Sequence, residues 1–214
     1  MGTRRVLVTM AMLMAVCATA VTATASSGDD NDGGLFAAGS FAMNGREVLL
    51  SSYAGSPVLV VNVASECGLT EYMYTRLVRL ARAAPQLRII GFPSNEFGGQ
   101  EPRSSSAIRA EMAAAYRVTF PLADKIEVNG ARAHPVFKWL VAESGGEDIA
   151  WNFTVFLVNG DGRLEGRFEP GEPFEAIEAA VAGMMAEARR KRWEADGGPR
   201  HTGADLPVGH GDEL

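Results

Sequence analysis

The stretch that decides the fold is Val58-Leu59-Val60-Val61-Asn62-Val63-Ala64-Ser65-Glu66-Cys67-Gly68-Leu69-Thr70. Its apolar, β-branched first half predicts a buried strand. Apolar residues at helical spacing over positions 74–81 predict a helix behind it, and we expect Thr70 to be its N-cap. Cys67 then lies at a helix N-terminus, where unpaired N–H groups favour a thiolate. The alternative is a small cysteine buried in the core.

Length and composition indicate one soluble domain with a substantial core and unstructured ends. The chain has 214 residues, of which 47% are hydrophobic, and a net charge of −6. A nucleic-acid binder of this size is more often basic, so the composition disfavours that class. Of the two cysteines, Cys17 lies in a segment that we expect to be removed. The mature protein would then keep Cys67 as a single thiol, which is either reactive or pairs outside the chain.

Both ends of the chain differ in composition from the middle. Residues 1–25 have the pattern of a signal peptide, with a basic start, an apolar stretch and a small-residue cleavage site at Ala23-Thr24-Ala25. The alternative is an uncleaved membrane anchor; after cleavage we expect no stable membrane span. Residues 26–34 are predicted to be a linker, residues 35–190 the domain, and residues 191–214 a flexible tail.

The order of predicted elements defines the fold class. Asn44-Gly45 between two short extended runs predicts an N-terminal β-hairpin. The remaining elements alternate between strand and helix patterns: strands at 87–92, 153–158 and 163–168, and helices at 104–116, 135–141 and 173–190. We therefore predict an α/β domain with a mixed central sheet flanked by helices, a pattern that fits a thioredoxin-like fold.

Three separated segments stand out together. They are Asn62-Val63-Ala64-Ser65-Glu66-Cys67-Gly68, Gly91-Phe92-Pro93-Ser94-Asn95-Glu96-Phe97-Gly98-Gly99-Gln100-Glu101-Pro102 and Trp151-Asn152-Phe153-Thr154. In this order and spacing they resemble the glutathione peroxidase family. The likeness spans roughly residues 41–170, which is most of the mature domain, and includes Ala133-His134-Pro135 between the second and third segments.

The resemblance implies a catalytic group made of Cys67, Gln100, Trp151 and Asn152. In such a site a thiolate attacks one peroxide oxygen, and the product on the protein is a sulfenic acid. The amide and indole N–H groups of the other three residues can stabilise the thiolate and the developing oxyanion. Since position 67 holds cysteine and not selenocysteine, we expect slower turnover than in a selenium-containing relative.

Each of these residues alone has a plainer interpretation. Trp151 alone would be a core or rim aromatic, Gln100 a surface turn residue and Asn152 a cap or turn residue. His134 precedes a proline at a helix start, and we expect it to be structural. Only the joint pattern favours a catalytic site over these readings.

The chain departs from many cysteine-type members in lacking a second, resolving cysteine. Ser94 occupies one position used in secretory relatives, and the helix over 107–116, used in thioredoxin-dependent relatives, contains no cysteine. The resemblance therefore implies an external reductant for the sulfenic acid, either glutathione or a protein disulfide isomerase. No metal and no bound cofactor are expected, and over-oxidation to a sulfinic acid becomes more favourable when thiol is scarce.

Further expectations concern assembly, location and modification. The short connection over 140–149 resembles monomeric members, so we expect a monomer. The ending Gly211-Asp212-Glu213-Leu214 resembles a retrieval signal of the endoplasmic reticulum, apart from Gly211, so we expect the lumen of that compartment, or secretion if the signal is not recognised. Asn152-Phe153-Thr154 is a glycosylation sequon. We expect it to stay unmodified because the following strand buries it.

Two functional hypotheses therefore remain. The first is a thiol peroxidase acting on hydrogen peroxide or organic hydroperoxides. The second is a weakly active or inactive binding module that regulates a lumenal thiol oxidoreductase, and the missing resolving cysteine favours it. A general disulfide reductase is disfavoured because there is no Cys-x-x-Cys motif. Arg76, Arg103 and Arg132 could attract an anionic thiol, although scattered arginines are usually solvated surface residues.

Overall fold

The computed structural model describes residues 34–198. The predictions for the signal peptide, its cleavage and almost all of the linker concern residues 1–33, which lie outside the described residues. The prediction of a flexible tail also lies outside them from residue 199 onward.

The described chain begins with a one-turn helix and the predicted hairpin. Helix α1 spans Gly34–Ala37, and the antiparallel strands β1 and β2 span Ser40–Met43 and Arg46–Leu49. The turn residues Asn44 and Gly45 both have positive φ, 55° and 70°, as a tight two-residue hairpin turn requires. A short 3-10 helix, Leu50–Tyr53, leads from the hairpin toward the main sheet.

A four-stranded mixed sheet forms the centre of the domain, with the strand order β4-β3-β5-β6. Strand β3 is Val58–Val63, β4 is Arg88–Pro93, β5 is Val155–Val158 and β6 is Leu164–Phe168. Strands β3 and β4 run parallel, whereas β5 is antiparallel to both β3 and β6. All six residues of β3 are buried, which explains why this strand has an almost continuous apolar sequence.

Helices cover both faces of this sheet. Alternate β3 residues divide between two buried clusters, because successive side chains of a strand point to opposite faces. Leu59, Val61 and Val63 pack in one cluster with residues of α2 (Thr70–Ala83), α3 (Ser105–Tyr116) and α5 (Phe174–Ala195). Val58 and Val60 pack in the other with the hairpin and α4 (Pro135–Glu143). The predicted α/β class with a mixed sheet and an N-terminal hairpin is confirmed.

Two predicted boundaries differ near the motifs. Thr70 is the first residue of α2 and not its N-cap; Leu69 holds that position with helical dihedral angles. The third predicted strand begins at Val155 and not at 153, because Phe153 has a φ of +69°, which no strand residue can adopt. Both differences come from turns that a hydrophobic pattern does not encode.

The last helix is longer than predicted. Helix α5 continues to Ala195, so residues 191–195 belong to it and not to a flexible tail. Ion pairs of Arg190 with Glu187 and Glu194, three and four residues away, support this last part of the helix. Within residues 34–198, no helix combines the length and apolarity needed to cross a membrane.

Candidate active site

Cys67 lies in the turn that joins β3 to α2. The Thr70 side chain closes this turn: its Oγ1 accepts a hydrogen bond from the Cys67 backbone N–H at 3.1 Å and donates one to the Ala64 carbonyl at 2.8 Å. The Thr70 backbone N–H donates to the Cys67 carbonyl at 3.0 Å. These hydrogen bonds fix the turn, and the cysteine lies three residues before Thr70, where α2 begins.

The Cys67 side chain is nearly buried, with 9% of its surface exposed. It belongs to the same apolar cluster as Tyr74 and Phe153, whose rings meet edge to face at 5.9 Å. The burial of Cys67 thus agrees in part with the alternative prediction of a small core cysteine. The side chain also keeps a small contact with solvent.

Gln100 and Asn152 contact each other directly. Asn152 Nδ2 donates a hydrogen bond to Gln100 Oε1 at 2.9 Å, although the two residues are 52 positions apart in sequence. The Asn152 side chain is fully buried, and its Oδ1 has no partner among the described residues. Gln100 Nε2 donates to no group within the described residues, so its two hydrogens remain available as donors.

Trp151 is close to this amide pair and is partly exposed, at 41%. The side chains of Trp151 and Gln100 both lie close to Gly98. A Cβ added to Gly98 would be 3.5 Å from Gln100 Cγ and 3.6 Å from Trp151 Cη2. Gly98 also has a φ of +64°, which favours glycine. The indole lies near the ring of Phe97, with ring centres 6.0 Å apart, so the loop before Gln100 supports it.

Hydrogen bonds join the three motif segments. The backbone N–H of Glu66, next to Cys67, donates to the Gln100 carbonyl at 3.0 Å. The Ser65 N–H donates to Glu101 Oε2 at 2.7 Å. Together with the Gln100–Asn152 contact, these bonds place the four sequence-predicted residues on three adjoining loops at one end of the sheet.

Sequence reasoning assigned no role to Asn62, a polar residue inside the apolar run of β3. Its Nδ2 donates to the Trp151 carbonyl at 3.0 Å, and its own carbonyl accepts from Phe153 N–H at 2.7 Å. The signal that could have revealed this anchor is a fully buried carboxamide in a strand that otherwise holds only aliphatic residues. Glu101 lies in the second motif segment, and the sequence pattern assigns it no role either.

The three arginines considered as sites for an anionic thiol already have carboxylate partners. Arg76 pairs with Glu175 and Glu178 at 2.7 and 2.9 Å. Arg103 pairs with Glu111 and, at 3.4 Å, with Glu66. Arg132 pairs with Glu127 at 2.9 Å and is 83% exposed. Their positive charges are therefore largely compensated.

His134 is structural, as predicted. It is the N-cap of α4, where its Nδ1 accepts the Val136 N–H at 3.3 Å, and burial lowers its pKa below the usual value. Ser94, which the motif resemblance aligns with a resolving cysteine, is fully buried and donates to Glu96 at 2.9 Å. Cys67 is the free cysteine of the described residues, and these residues contain no cluster of three or more His, Cys, Asp or Glu side chains that could hold a metal ion.

Comparisons with known proteins agree with the motif pattern. The glutathione peroxidase family model matches residues 35–141, a range that includes Cys67 and Gln100 and ends before Trp151. A probable phospholipid hydroperoxide glutathione peroxidase of Mesembryanthemum crystallinum is 42% identical over 146 residues, covering 66% of this chain and 86% of the relative. Glutathione peroxidase 7 of Bos taurus is 39% identical over 154 residues, covering 71% and 82%.

A solved structure gives the same result. The crystal structure of Trgpx in apo form matches with a TM-score of 0.59 and 36% sequence identity, covering 71% of this chain and 94% of that one. The chain therefore belongs to the glutathione peroxidase family and is a peroxidase-type oxidoreductase.

Proposed function

We propose that Cys67 reduces hydrogen peroxide or organic hydroperoxides and that an external thiol regenerates it. The observation that carries this proposal is the joining of three distant segments by the Glu66–Gln100 and Gln100–Asn152 hydrogen bonds. These contacts bring a thiol loop next to side chains that carry amide and indole N–H donors. None of those donors titrates near neutral pH, so their donating capacity is constant there.

In the first step the Cys67 thiolate attacks one oxygen of the peroxide. The S–O bond forms as the O–O bond breaks, the sulfur loses two electrons, and the second oxygen leaves as hydroxide or alkoxide and takes a proton from water. Gln100 Nε2, the Trp151 indole N–H and the second amide hydrogen of Asn152 are the donors that would stabilise the leaving oxygen. The roles of these three residues are part of the proposal.

In the second step an external thiolate attacks the sulfenic sulfur and displaces its hydroxide, which takes up a proton from the solvent. Water leaves, a mixed disulfide forms, and a second thiol releases the Cys67 thiol together with an oxidised disulfide. Within the described residues Cys67 is the free cysteine, and Ser94 carries a hydroxyl group and not a second thiol. Both observations support an external and not an internal thiol partner. The candidates are glutathione and a protein disulfide isomerase, and no metal or bound cofactor takes part.

The test is peroxide consumption by the purified protein with either glutathione or reduced protein disulfide isomerase as electron donor. We expect turnover with at least one donor and none above background for Cys67→Ser. Equal consumption by wild type and Cys67→Ser would contradict the proposal. The donor that gives the higher kcat/KM identifies the class of reductant.

A second candidate is a binding module that regulates a lumenal thiol oxidoreductase without efficient turnover. The low exposure of Cys67, at 9%, favours it. Stopped-flow measurement of Cys67 oxidation by hydrogen peroxide separates the two candidates. A rate constant no higher than that of free cysteine would favour the binding module, and a much higher one the peroxidase.

We also propose a monomer in the lumen of the endoplasmic reticulum. The monomer is supported by the short connection between α4, which ends at Glu143, and the site segment at Trp151. The location is supported by the composition of residues 1–25 and by the ending Gly211-Asp212-Glu213-Leu214. Light scattering and localisation of the tagged full-length protein test the two statements, and a stable tetramer or a cytosolic protein would contradict them.

A further inference from the structure

Glu101 is a buried carboxyl group to which the proposed reaction assigns no part. Its side chain is fully buried next to Gln100. Its Oε2 accepts the Ser65 backbone N–H at 2.7 Å and also the Ser65 hydroxyl, while its Oε1 has no partner among the described residues. A buried carboxyl group is costly unless its hydrogen bonds are strong, so its presence here requires a reason.

Both side-chain hydrogen bonds of Glu101 come from Ser65, in the loop that carries Cys67. Ser65 stands two positions before the cysteine, and the next residue, Glu66, donates its N–H to the Gln100 carbonyl. Asn95 Oδ1 in turn accepts the Glu101 backbone N–H at 2.8 Å. The pair Gln100–Glu101 therefore holds the Ser65–Glu66 segment by several hydrogen bonds and is itself anchored in its own loop.

Charge and burial make this contact stronger than one between neutral groups. Burial raises the pKa of Glu101, while the two hydrogen bonds from Ser65 oppose that rise by stabilising the ionised form. Hydrogen bonds to an ionised acceptor are roughly twice as strong as neutral ones. Ser65 gives the main stabilisation of the ionised form, and the positive charge of Lys125 adds a smaller contribution.

We propose that Glu101 is a positioning residue for peroxide reduction. It holds Ser65, and through Ser65 the Cys67 loop, at a fixed distance from the amide of Gln100. The proposal rests on the proposed peroxidase function, since the quantity that it affects is the reaction of Cys67 with peroxide. Glu101 touches neither the peroxide nor the sulfur, and it acts only through the backbone and hydroxyl of Ser65.

The test measures the second-order rate constant of Cys67 oxidation by hydrogen peroxide in Glu101→Gln, Ser65→Ala, Ser65→Thr and the double variant Glu101→Gln/Ser65→Ala. Small displacements of a reacting group can cost up to about 100-fold in rate, so we expect a loss of about 10-fold or more for Glu101→Gln. The double variant should lose little beyond Glu101→Gln alone, because both changes act on one contact. Ser65→Thr keeps the hydroxyl and should react within about twofold of wild type.

The matched control is Asp124→Asn. This carboxylate also accepts a side-chain and a backbone donor, Arg109 at 2.8 Å and Gly45 N–H at 3.3 Å, but has no contact with the cysteine loop. Its rate constant should equal that of wild type while circular dichroism shows every variant folded. Additive losses, failure of Ser65→Thr to retain activity, or an equal loss in Asp124→Asn would overturn the positioning role. A wild-type rate no higher than that of free cysteine would overturn the proposed function itself.

Discussion

The side-chain amide of Asn62, near the C-terminal end of β3, donates a hydrogen bond to the backbone carbonyl of Trp151 at 3.0 Å. The two residues are 89 positions apart in sequence, and the contact ties the central strand of the sheet to the segment that carries Trp151 and Asn152. The carbonyl of Asn62 also accepts the Phe153 N–H. The site segment is thus attached to the most buried strand of the fold by one main-chain and one side-chain bond.

Replacing Asn62 by alanine should therefore reduce both stability and peroxide reactivity. Loss of a buried hydrogen bond costs about 1–3 kcal/mol of unfolding free energy. Urea denaturation measures this loss, and stopped-flow oxidation of Cys67 measures the reactivity. Asn159→Ala, in the β5–β6 turn where Asn159 accepts the N–H groups of Asp161 and Arg163, is a control that should lose stability alone. Equal reactivity of both variants would contradict the anchoring role of Asn62.

Gln100 and Asn152 should behave as one unit in kinetics. Removal of a single oxyanion donor typically costs about 100-fold or more in rate, so Gln100→Ala and Asn152→Ala should each lose about that much. Because the two amides are hydrogen bonded, the double variant should lose far less than the product of the single losses. Gln86→Ala, an exposed glutamine between α2 and β4, is the control. Multiplicative losses in the double variant would show that the amides act independently.

Peroxide in the absence of thiol should inactivate the protein. With Cys67 as the single thiol of residues 34–198, a sulfenic acid has no internal thiol to condense with and proceeds to sulfinic acid. Intact-mass measurement of the mature protein should show added oxygen and no disulfide, and activity should not return with dithiothreitol. Prior addition of glutathione should protect it. Full recovery after reduction would mean that another group resolves the sulfenic acid.

His134 should make the fold sensitive to mild acid. Burial lowers its pKa in the folded state below the unfolded value of about 6.5. Above that value both states are neutral, and as the pH falls toward the folded-state pKa the unfolded state binds the proton first, so stability is lost. Protonation of Nδ1 would also remove the acceptor that caps α4. The difference in melting temperature between pH 7.5 and 5 should therefore be smaller in His134→Asn, which caps without titrating.

Glu101 has the opposite effect on the pH dependence of stability. Its raised pKa means that the folded state binds the proton more readily than the unfolded state, so its contribution to stability increases as the pH falls through the acid range. The comparison of wild type with His134→Asn isolates the histidine because Glu101 is common to both. Identical melting-temperature differences in the two proteins would exclude His134 as the source of acid sensitivity.

The sequon at Asn152 should stay unmodified in a secretory host. Glycosylation would attach a sugar to Nδ2, the atom that donates to Gln100, on a fully buried side chain. Treatment with an N-glycosidase should therefore leave the mass of the secreted protein unchanged. Asp161→Asn with Arg163→Ser creates a sequon in the exposed β5–β6 turn as a positive control. A glycosidase-sensitive mass in the wild type would contradict the burial or the proposed role of Asn152.

Much of the fold was predictable from hydrophobic pattern and turn chemistry. The continuous apolar run of β3 indicates a strand covered on both faces, and Asn44-Gly45 fixes the hairpin because both residues accept a positive φ. The resemblance of three motifs named four site residues, and the structure brings Gln100, Trp151 and Asn152 together beside the Cys67 loop.

The residues that hold the site in place were not predictable in the same way. Thr70 looks like a helix cap in sequence, yet its hydroxyl turns back to Cys67 and Ala64, because the helix begins one residue earlier than the cap signal indicates. The contact of Glu101 with Ser65 spans 36 positions and depends on how two loops meet. Periodicity and local propensity carry no information on such long-range polar contacts.

Phe153 combines a left-handed backbone with a buried ring that meets Tyr74 edge to face. Glycine at this position would relax the backbone but would empty the volume of a phenyl ring, whereas any other large residue would keep the same torsional conflict. Neither glycine nor another large residue is therefore a favourable substitution at position 153. Redesign near the site has to begin where a side chain reaches solvent, as at Trp151, and not at this buried position.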